Sequence, residues 1–485
     1  MPDRAKHLSR GNVTHLVGAI LLGNAAALLL CALAGVVLRD GSFLPLLLSA
    51  LLAAAAGGVA RYFTHIPEDI NFREAFATVS LAWITVGTFG ALPYLFSGAI
   101  PAPAAALFES ISGFTTTGST VLTDIEVVAP GILLWRSTTQ WLGGMGIIVL
   151  GVAILPYLGV GGMQLFRMEA PGPTQERLRP RIRETAKLLW LVYAGLTVVV
   201  GGLYLIGGMT FFDAVNHALT TMPTGGFSTR NASMGAFSPF IQWVAIVFMY
   251  LAGINFVLHY RALSRGTRPY WADREWRLYT AIILAATVLV MYSLSGTGLG
   301  FERILRDALF QVLAVTTTTG YGTADYEAWT PFAQLVLFLL FFVGGMAGST
   351  GGGPKVIRVL LILKHGMLEI RRYLHPRAVM LVKVGGQAVP EPVMLNVVAF
   401  MLMYVGLFGV GTLAMTALGL SLPSAAGAAA TAISNVGPGL DEVGPTDNFG
   451  FLPPQGQLIL AFLMLVGRLE LYTVFLLFHP GLWRR

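Results

Sequence analysis

Thr316-Thr317-Thr318-Thr319-Gly320-Tyr321-Gly322-Thr323 sets a glycine turn between a short, fairly apolar stretch with helical spacing and a much longer apolar run. Three further turns sit in the same setting: Thr116-Thr117-Gly118-Ser119, Thr224-Gly225-Gly226-Phe227 and Asn435-Val436-Gly437-Pro438. They recur at roughly hundred-residue intervals, a long-period internal repeat. Each reads as a loop placed at membrane depth. Unpaired backbone groups there cost several kcal/mol apiece, and irregular backbone is tolerated only when it is buried in protein or lines a wet cavity. Four such loops, converging, make a pore.

Composition supplies the membrane. The chain is 55% hydrophobic and 11% charged, with a mean hydropathy of +0.71, whereas a soluble surface needs about a quarter of its residues charged. Apolar runs start near Val13, Phe43, Ala75, Gly131, Leu188, Pro239, Leu278, Phe332, Pro392 and Gln457, and each is long enough to predict a helix crossing a ~30 Å hydrocarbon core. The first run is too long for a signal-peptide core and has no small-residue cleavage site behind it, so it reads as the first of ten spans. Cys31 is the single cysteine, which excludes an internal disulfide.

The net charge of +7 is unevenly spread. Basic residues cluster in alternate connections: Arg4, Lys6 and Arg10; Arg61 and Arg73; Arg167 and Arg177 through Lys187; Arg261 through Arg277; Lys364 through Lys383; Arg484 and Arg485. By the positive-inside rule one orientation, with both termini cytoplasmic, satisfies every cluster, and no nucleic-acid partner is needed to explain the basic balance. The same orientation puts the glycine turns on the outward side with Asp124, Glu126, Asp213, Asp325, Glu327, Asp441, Glu442 and Asp447, an acidic rim that favours cations.

The reading is an all-α integral membrane protein. A leading two-helix segment (1–66) precedes four pore repeats (67–165, 180–265, 270–375 and 385–485), each a span, a re-entrant half-helix, a filter loop and a span. The half-helices are expected at Pro103–Phe114, Phe211–Met222, Arg303–Thr317 and Pro423–Ser434. They run inward, so their negative C-terminal dipole ends point at the pore centre. Glycine follows threonine because consecutive carbonyls can point one way only with backbone angles that a side chain obstructs. The candidate ion-binding residues are Thr116, Thr117, Gly118, Thr224, Gly225, Gly226, Thr318, Thr319, Gly320, Asn435, Val436 and Gly437. The TVGYG loop of potassium channels has the outline of Thr318–Gly322.

Val343-Gly344-Gly345-Met346-Ala347-Gly348-Ser349-Thr350-Gly351-Gly352-Gly353-Pro354-Lys355 is a stretch no continuous helix would choose. The eighth span is expected to break here, below the filter, with Gly345, Gly348, Gly351, Gly352, Gly353 and Lys355 as candidate gate residues; the alternative is a plain inner helix end followed by a cytoplasmic turn. Arg468 lies near the middle of the last span, where an ionisable group marks function by default. It either holds the gate loop or stands as a positive barrier; the alternative is an ion pair with Glu470. The histidines show no metal-ligand spacing, and nucleophile elbow and phosphate loop are both missing, so no enzyme is indicated. Lys364–Lys383 is either a docking surface for a regulatory subunit or a topogenic stretch.

Taken with Ser112–Thr120, Thr221–Ser228 and Ser434–Gly439, these loops resemble the four pore loops of the Trk/Ktr/HKT superfamily of cation transporters over essentially the whole chain, and the two leading spans resemble its TrkH class. In that superfamily a serine at the first filter glycine goes with sodium. All four glycines are present here, so the resemblance implies potassium as the ion held at the filter, no organic cofactor, and uptake across the bacterial cytoplasmic (inner) membrane. It also implies an intramembrane gating loop, an arginine in the Arg468 motif with a comparable role, a homodimer in lipid, and control by a cytosolic ring of TrkA-like nucleotide-binding subunits. Asn435-Val436 departs from the threonine pattern, which predicts unequal ion sites. A sodium-selective or sodium- or proton-coupled transporter of the same fold is the alternative, and an intramembrane enzyme a more distant one.

Overall fold

Helices need partners for their first N–H groups, and the residues just ahead of them supply these or remove the need. The computed structural model describes residues 8–66, 70–153, 178–378 and 380–483; Arg4, Lys6, Arg167, Arg177, Arg484 and Arg485 of the basic clusters lie outside the described residues. In chain order the helices are α1 (Arg10–Leu38), α2 (Phe43–Tyr62), α3 (Phe72–Gly90), α4 (Leu92–Phe96), α5 (Pro103–Phe114), α6 (Pro130–Ala153), α7 (Leu178–Ile206), α8 (Phe211–Thr221), α9 (Pro239–Ala252) and α10 (Phe256–Arg265). They continue with α11 (Arg268–Ala272), α12 (Arg274–Leu294), α13 (Phe301–Thr316), α14 (Pro331–Leu340), α15 (Val356–Leu374), α16 (Glu391–Ala417), α17 (Leu422–Ser434), α18 (Pro454–Arg468), α19 (Leu471–Phe478) and α20 (Pro480–Trp483). A two-residue hairpin pairs Lys383–Val384 with Gln387–Ala388.

Capping explains several of these boundaries. Asn71 and Glu74 form a reciprocal capping box at α3, with both bonds 2.9 Å. Glu74 Oε1 also accepts from Ser9 N and Asn12 Nδ2, at 2.9 and 3.1 Å, and so ties the start of α1 to α3. The four helices that follow the glycine turns, α6, α9, α14 and α18, all open on proline, whose missing N–H has no role at that position.

Among the described residues, six helices are long and apolar enough to cross a membrane: α1, α2, α3 continued by α4, and most or all of α7, α12 and α16. Two bent pairs raise the number to as many as eight: α9 with α10 at 98° and α18 with α19 at 116°. The run from Gly131 forms α6, 24 residues long. Three of the ten expected spans are thus not continuous helices. The run from Pro239 breaks where Asn255 caps α10, accepting from Val257 N at 2.8 Å. The run from Gln457 breaks at Glu470, which takes a left-handed φ of 65°. The run from Phe332 stops after the 10 residues of α14, ahead of the glycine stretch. The break after α14 is the one expected at the glycine stretch, whereas each of the two bent pairs still passes as a single apolar run.

The short helices α5, α8, α13 and α17 match the expected half-helices to within two residues at each end. Two apolar cores enclose them, one drawn mainly from α1–α6 with α16–α19, the other mainly from α7–α14, and α17 contributes to both.

Candidate functional site

Each short helix ends in the same way. The N–H groups of Thr116, Thr224, Thr318 and Asn435 bond the carbonyl three residues back (2.9, 3.0, 3.0 and 3.3 Å). Those of Thr117, Gly225, Thr319 and Val436 bond five residues back (2.9, 2.9, 2.8 and 3.1 Å). This is the Schellman closure, which needs a left-handed residue after the helix. Thr116, Thr224, Thr318 and Asn435 supply it with φ of 51°, 56°, 60° and 57°. A β-branched residue there is a genuine outlier, strained by about 1–3 kcal/mol, and such strain clusters at functional sites. Asparagine visits this region more readily, so Asn435 keeps the geometry that the threonines impose.

Two residues on, Gly118, Gly226, Gly320 and Gly437 are left-handed again, with φ of 88°, 79°, 75° and 115°. Their α-carbons press on the neighbouring loop. A β-carbon on Gly118 would lie 2.3 Å from the Gly225 oxygen, one on Gly226 2.0 Å from the Thr319 oxygen, one on Gly320 1.9 Å from the Val436 oxygen, and one on Gly437 2.9 Å from the Thr117 oxygen. Each loop abuts the next in chain order and the fourth abuts the first, which closes a ring. All four glycines line one cavity of about 110 Å³ together with Ser119, Arg230 and Asp447. The loops are unequal: the Gly437 carbonyl accepts from the hydroxyls of Ser119 and Thr431 at 2.8 and 2.9 Å.

Residues that the motifs alone did not single out brace the ring. Thr115 pairs with Thr117 and Thr317 with Thr319 through hydroxyls at 2.8 and 2.7 Å. Glu109 on α5 takes Arg136 of α6 at 2.6 Å, both fully enclosed, and also accepts from Val121 N at 2.9 Å. Arg136 continues to the Ser228 carbonyl (3.0 Å) and lies 3.5 Å over the Phe227 ring, so the first and second loops share one buried ion pair. The Tyr321 hydroxyl reaches Thr220 and Thr221 at 2.6 and 3.0 Å, fastening the third loop to α8.

The glycine stretch lies against the ends of these loops that join the short helices. Gly352 N donates to Thr318 Oγ1 at 2.6 Å, a β-carbon on Gly352 would meet the Ser434 oxygen at 2.5 Å, and Thr350 Oγ1 donates to the Met222 carbonyl at 2.9 Å. Thr350, Gly351 and Gly352 are buried, so the stretch is not an exposed turn at a helix end. Its own backbone is satisfied locally: Gly344 N donates to Pro354 O and Val356 N to Gly345 O, while Met346 N and Phe256 N exchange bonds between the stretch and the α9–α10 break. Gly348 and Gly353 are left-handed within it. Glu275 of α12 accepts Ala347 N and Ile357 N at 2.8 and 3.0 Å, holding both sides of the stretch. Lys355 Nζ donates to the Gly351 carbonyl, and Arg468 Nη1 to the Thr350 carbonyl at 2.8 Å. Arg468 Nε and Nη2 are buried without a partner among the described residues. Glu470 pairs with Arg358 rather than with Arg468, because its left-handed φ turns α19 away from α18.

The acidic residues are of two kinds. Asp213 is buried and bonded to Arg230 (2.8 Å), Thr229 and Thr210, which removes it from the rim. Asp124, Glu126, Asp325, Asp441, Glu442 and Asp447 are exposed. Burial first, then the charges of Asp447 and Asp325, push the Glu327 carboxyl up to about 7. The Ser421 and Ser424 hydroxyls hold Asp441 below the usual carboxylate range. Among the described residues no group of three or more His, Cys, Asp or Glu is arranged to hold a metal ion.

The family described as "TrkH: Cation transport protein" matches residues 47–484. The Trk system potassium uptake protein TrkH of Salmonella typhimurium is 40% identical over 482 residues, 97% of this chain and 99% of that one. The Trk system potassium uptake protein TrkG of Escherichia coli K12 is 32% identical over 478 residues, 97% and 98% of the two chains. The crystal structure of the potassium transporter TrkH from Vibrio parahaemolyticus superposes with a TM-score of 0.91 at 36% identity, over 98% of this chain and 100% of that one.

Thr116 combines a left-handed φ with a buried hydroxyl that has no partner among the described residues. Thr116→Gly relieves the strain and loses no hydrogen bond. Its melting temperature in detergent should exceed that of Thr116→Ala, which loses the same buried methyl and hydroxyl but keeps a β-carbon at the left-handed position. A Thr116→Gly that melts below Thr116→Ala would contradict the strain assignment.

Proposed function

Because the chain belongs to the TrkH family of cation transport proteins, we propose that it takes up potassium across the inner membrane, as a multi-pass protein, through a filter that its four glycine turns build. The observation that carries this reading is the fourfold recurrence of a left-handed Schellman residue followed by a left-handed glycine, each pressed on the next loop. Left-handed residues two apart give the loops backbone angles that a side chain obstructs, which lets successive carbonyls point one way, and rings of carbonyls replace the water around a dehydrated cation. Potassium is thus the transported substrate, held at the filter formed by Thr116, Thr117, Gly118, Thr224, Gly225, Gly226, Thr318, Thr319, Gly320, Asn435, Val436 and Gly437, where Gly437 shapes the loop because its own carbonyl already accepts from two hydroxyls. The relatives' printed names, Trk system potassium uptake proteins, support the same ion.

In this account residues 67–165, 180–265, 270–375 and 385–485 are four pseudo-repeats behind the leading pair of helices, and α5, α8, α13 and α17 re-enter from the outer face. Their negative ends face the ion. The Gly345–Lys355 stretch is the gate. It sits against three of the four inner loop ends, and the Arg468 guanidinium, whose Nε and Nη2 have no partner among the described residues, adds a positive barrier to cations. The chain works as a homodimer in lipid, and a TrkA-like cytosolic ring that binds nucleotide moves the gate, with Lys364–Lys383 a candidate contact. It is not an enzyme and holds no organic cofactor.

Flux into reconstituted vesicles under potassium, sodium and rubidium gradients tests the function. Potassium and rubidium should pass and sodium should not. Gly118→Ser and Gly320→Ser, which insert a side chain where an oxygen lies 2.3 and 1.9 Å away, should reduce that discrimination about tenfold or more while the protein stays folded. Equal sodium and potassium flux in the wild type would favour the sodium-transporting alternative, and unchanged discrimination in both variants would remove the filter.

For the gate, deletion of 345–353 and Arg468→Ala should each raise basal potassium flux, and the two should be non-additive because one element is released by both. Flux is compared at matched amounts of inserted protein. A folded deletion with lower flux than the wild type would show that the stretch supports the open pore instead.

A further inference from the structure

The second loop lacks the hydroxyl pair that braces the first and the third. Where the first and third loops have the hydroxyl pairs Thr115–Thr117 and Thr317–Thr319, the second has Pro223 and Gly225. A buried glutamine occupies the gap. Gln140 of α6 is fully enclosed; its Nε2 donates to the Gly225 carbonyl at 2.7 Å and its Oε1 accepts from Phe227 N at 3.2 Å. A β-carbon on Gly225 would lie 2.3 Å from Gln140 Cδ, inside the amide.

The helix side of the arrangement is also special to this loop. α6, α9, α14 and α18 all open on proline, and the eleventh residue from that proline is Gln140, Met249, Phe341 and Met464. The one polar residue of the four accompanies the one loop whose residue before the filter glycine has no side chain; the others there are Thr117, Thr319 and Val436.

We propose that Gln140 is a positioning residue of the filter: its carboxamide takes the place of the side chain absent at Gly225 and sets the Gly225 carbonyl against Gly118. The inference rests on the potassium-filter reading. Gln140 grips the backbone on both sides of Gly226, so Gly226 keeps its left-handed φ against the Thr319 carbonyl. Releasing it lets one carbonyl of the ring turn, and discrimination between potassium and sodium depends on the number and placement of those carbonyls.

The test is potassium, rubidium and sodium flux in vesicles for the full-length wild type, Gln140→Met, Gly225→Thr and the double variant Gln140→Ala with Gly225→Thr, in which the small residue at 140 clears the space that a β-carbon at 225 needs, with detergent-solubilised protein checked for monodispersity. Gln140→Met should lose potassium-over-sodium discrimination by about tenfold, the equivalent of one buried hydrogen bond. Gly225→Thr should also lose it, because the new side chain collides with the amide. Gly225 is not among the left-handed glycines, so threonine fits once the glutamine is gone, and the double variant should recover most of the wild-type ratio. That recovery distinguishes positioning from general destabilisation. If Gln140→Met does not fold, the double variant decides alone: wild-type discrimination supports the inference, and its absence overturns it. Unchanged discrimination in folded Gln140→Met overturns it as well. A wild type that does not discriminate overturns the potassium reading itself, before any variant is compared.

Discussion

A backbone that stops being helical among apolar helices has to find partners for its own N–H and C=O groups, since neither lipid nor packed side chains supply them. Four short helices meet this constraint with a single device. Their last carbonyls are taken by the next residues of the same chain through a left-handed turn, and threonine accepts that strained conformation three times. The strain persists because the surroundings over-determine it: hydroxyl pairs, a buried Glu109–Arg136 couple and the Tyr321 hydroxyl leave the loops little room to relax. Once the turns are set, the glycine two residues later has to accommodate a neighbouring carbonyl, and the ring closes by contact rather than by covalent symmetry.

The glycine stretch between α14 and α15 obeys the same constraint in a different way. Its N–H groups are paired with other parts of the stretch, with the α9–α10 break, with Glu275 and with Thr318. These partners come from separate elements, so the stretch is held by its surroundings rather than by an i→i−4 ladder of its own. Glu275 and Arg468 grip it from opposite chemistries, a carboxylate on N–H groups and a guanidinium on a carbonyl.

The membrane character, the four turns and the extents of the short helices were legible because each has a local signal: apolar length, glycine after hydroxyl residues, proline at a helix start. The bends at Asn255 and Glu470 were not, since each pair of helices passes as one apolar run and only a cap or one left-handed residue marks the break. Pairings between distant elements were also hidden. Arg468 and Glu470 are two residues apart and invite pairing on paper, yet Glu470 reaches Arg358 across the molecule. Asp213 looked like a rim charge until Arg230 was found against it. Gln140 and Glu275 read as single polar residues on or beside apolar helices, and only contact with loops 85 and 72 residues away shows what they hold.

The central claim is that the ring of loop carbonyls binds the transported ion. Anomalous diffraction from crystals of the protein grown with rubidium in place of potassium tests it most directly. The account predicts rubidium peaks on the axis of the ring, within coordination distance of the Thr117, Gly225, Thr319 and Val436 oxygens. Rubidium bound only at the acidic rim, with none among those oxygens, would contradict it.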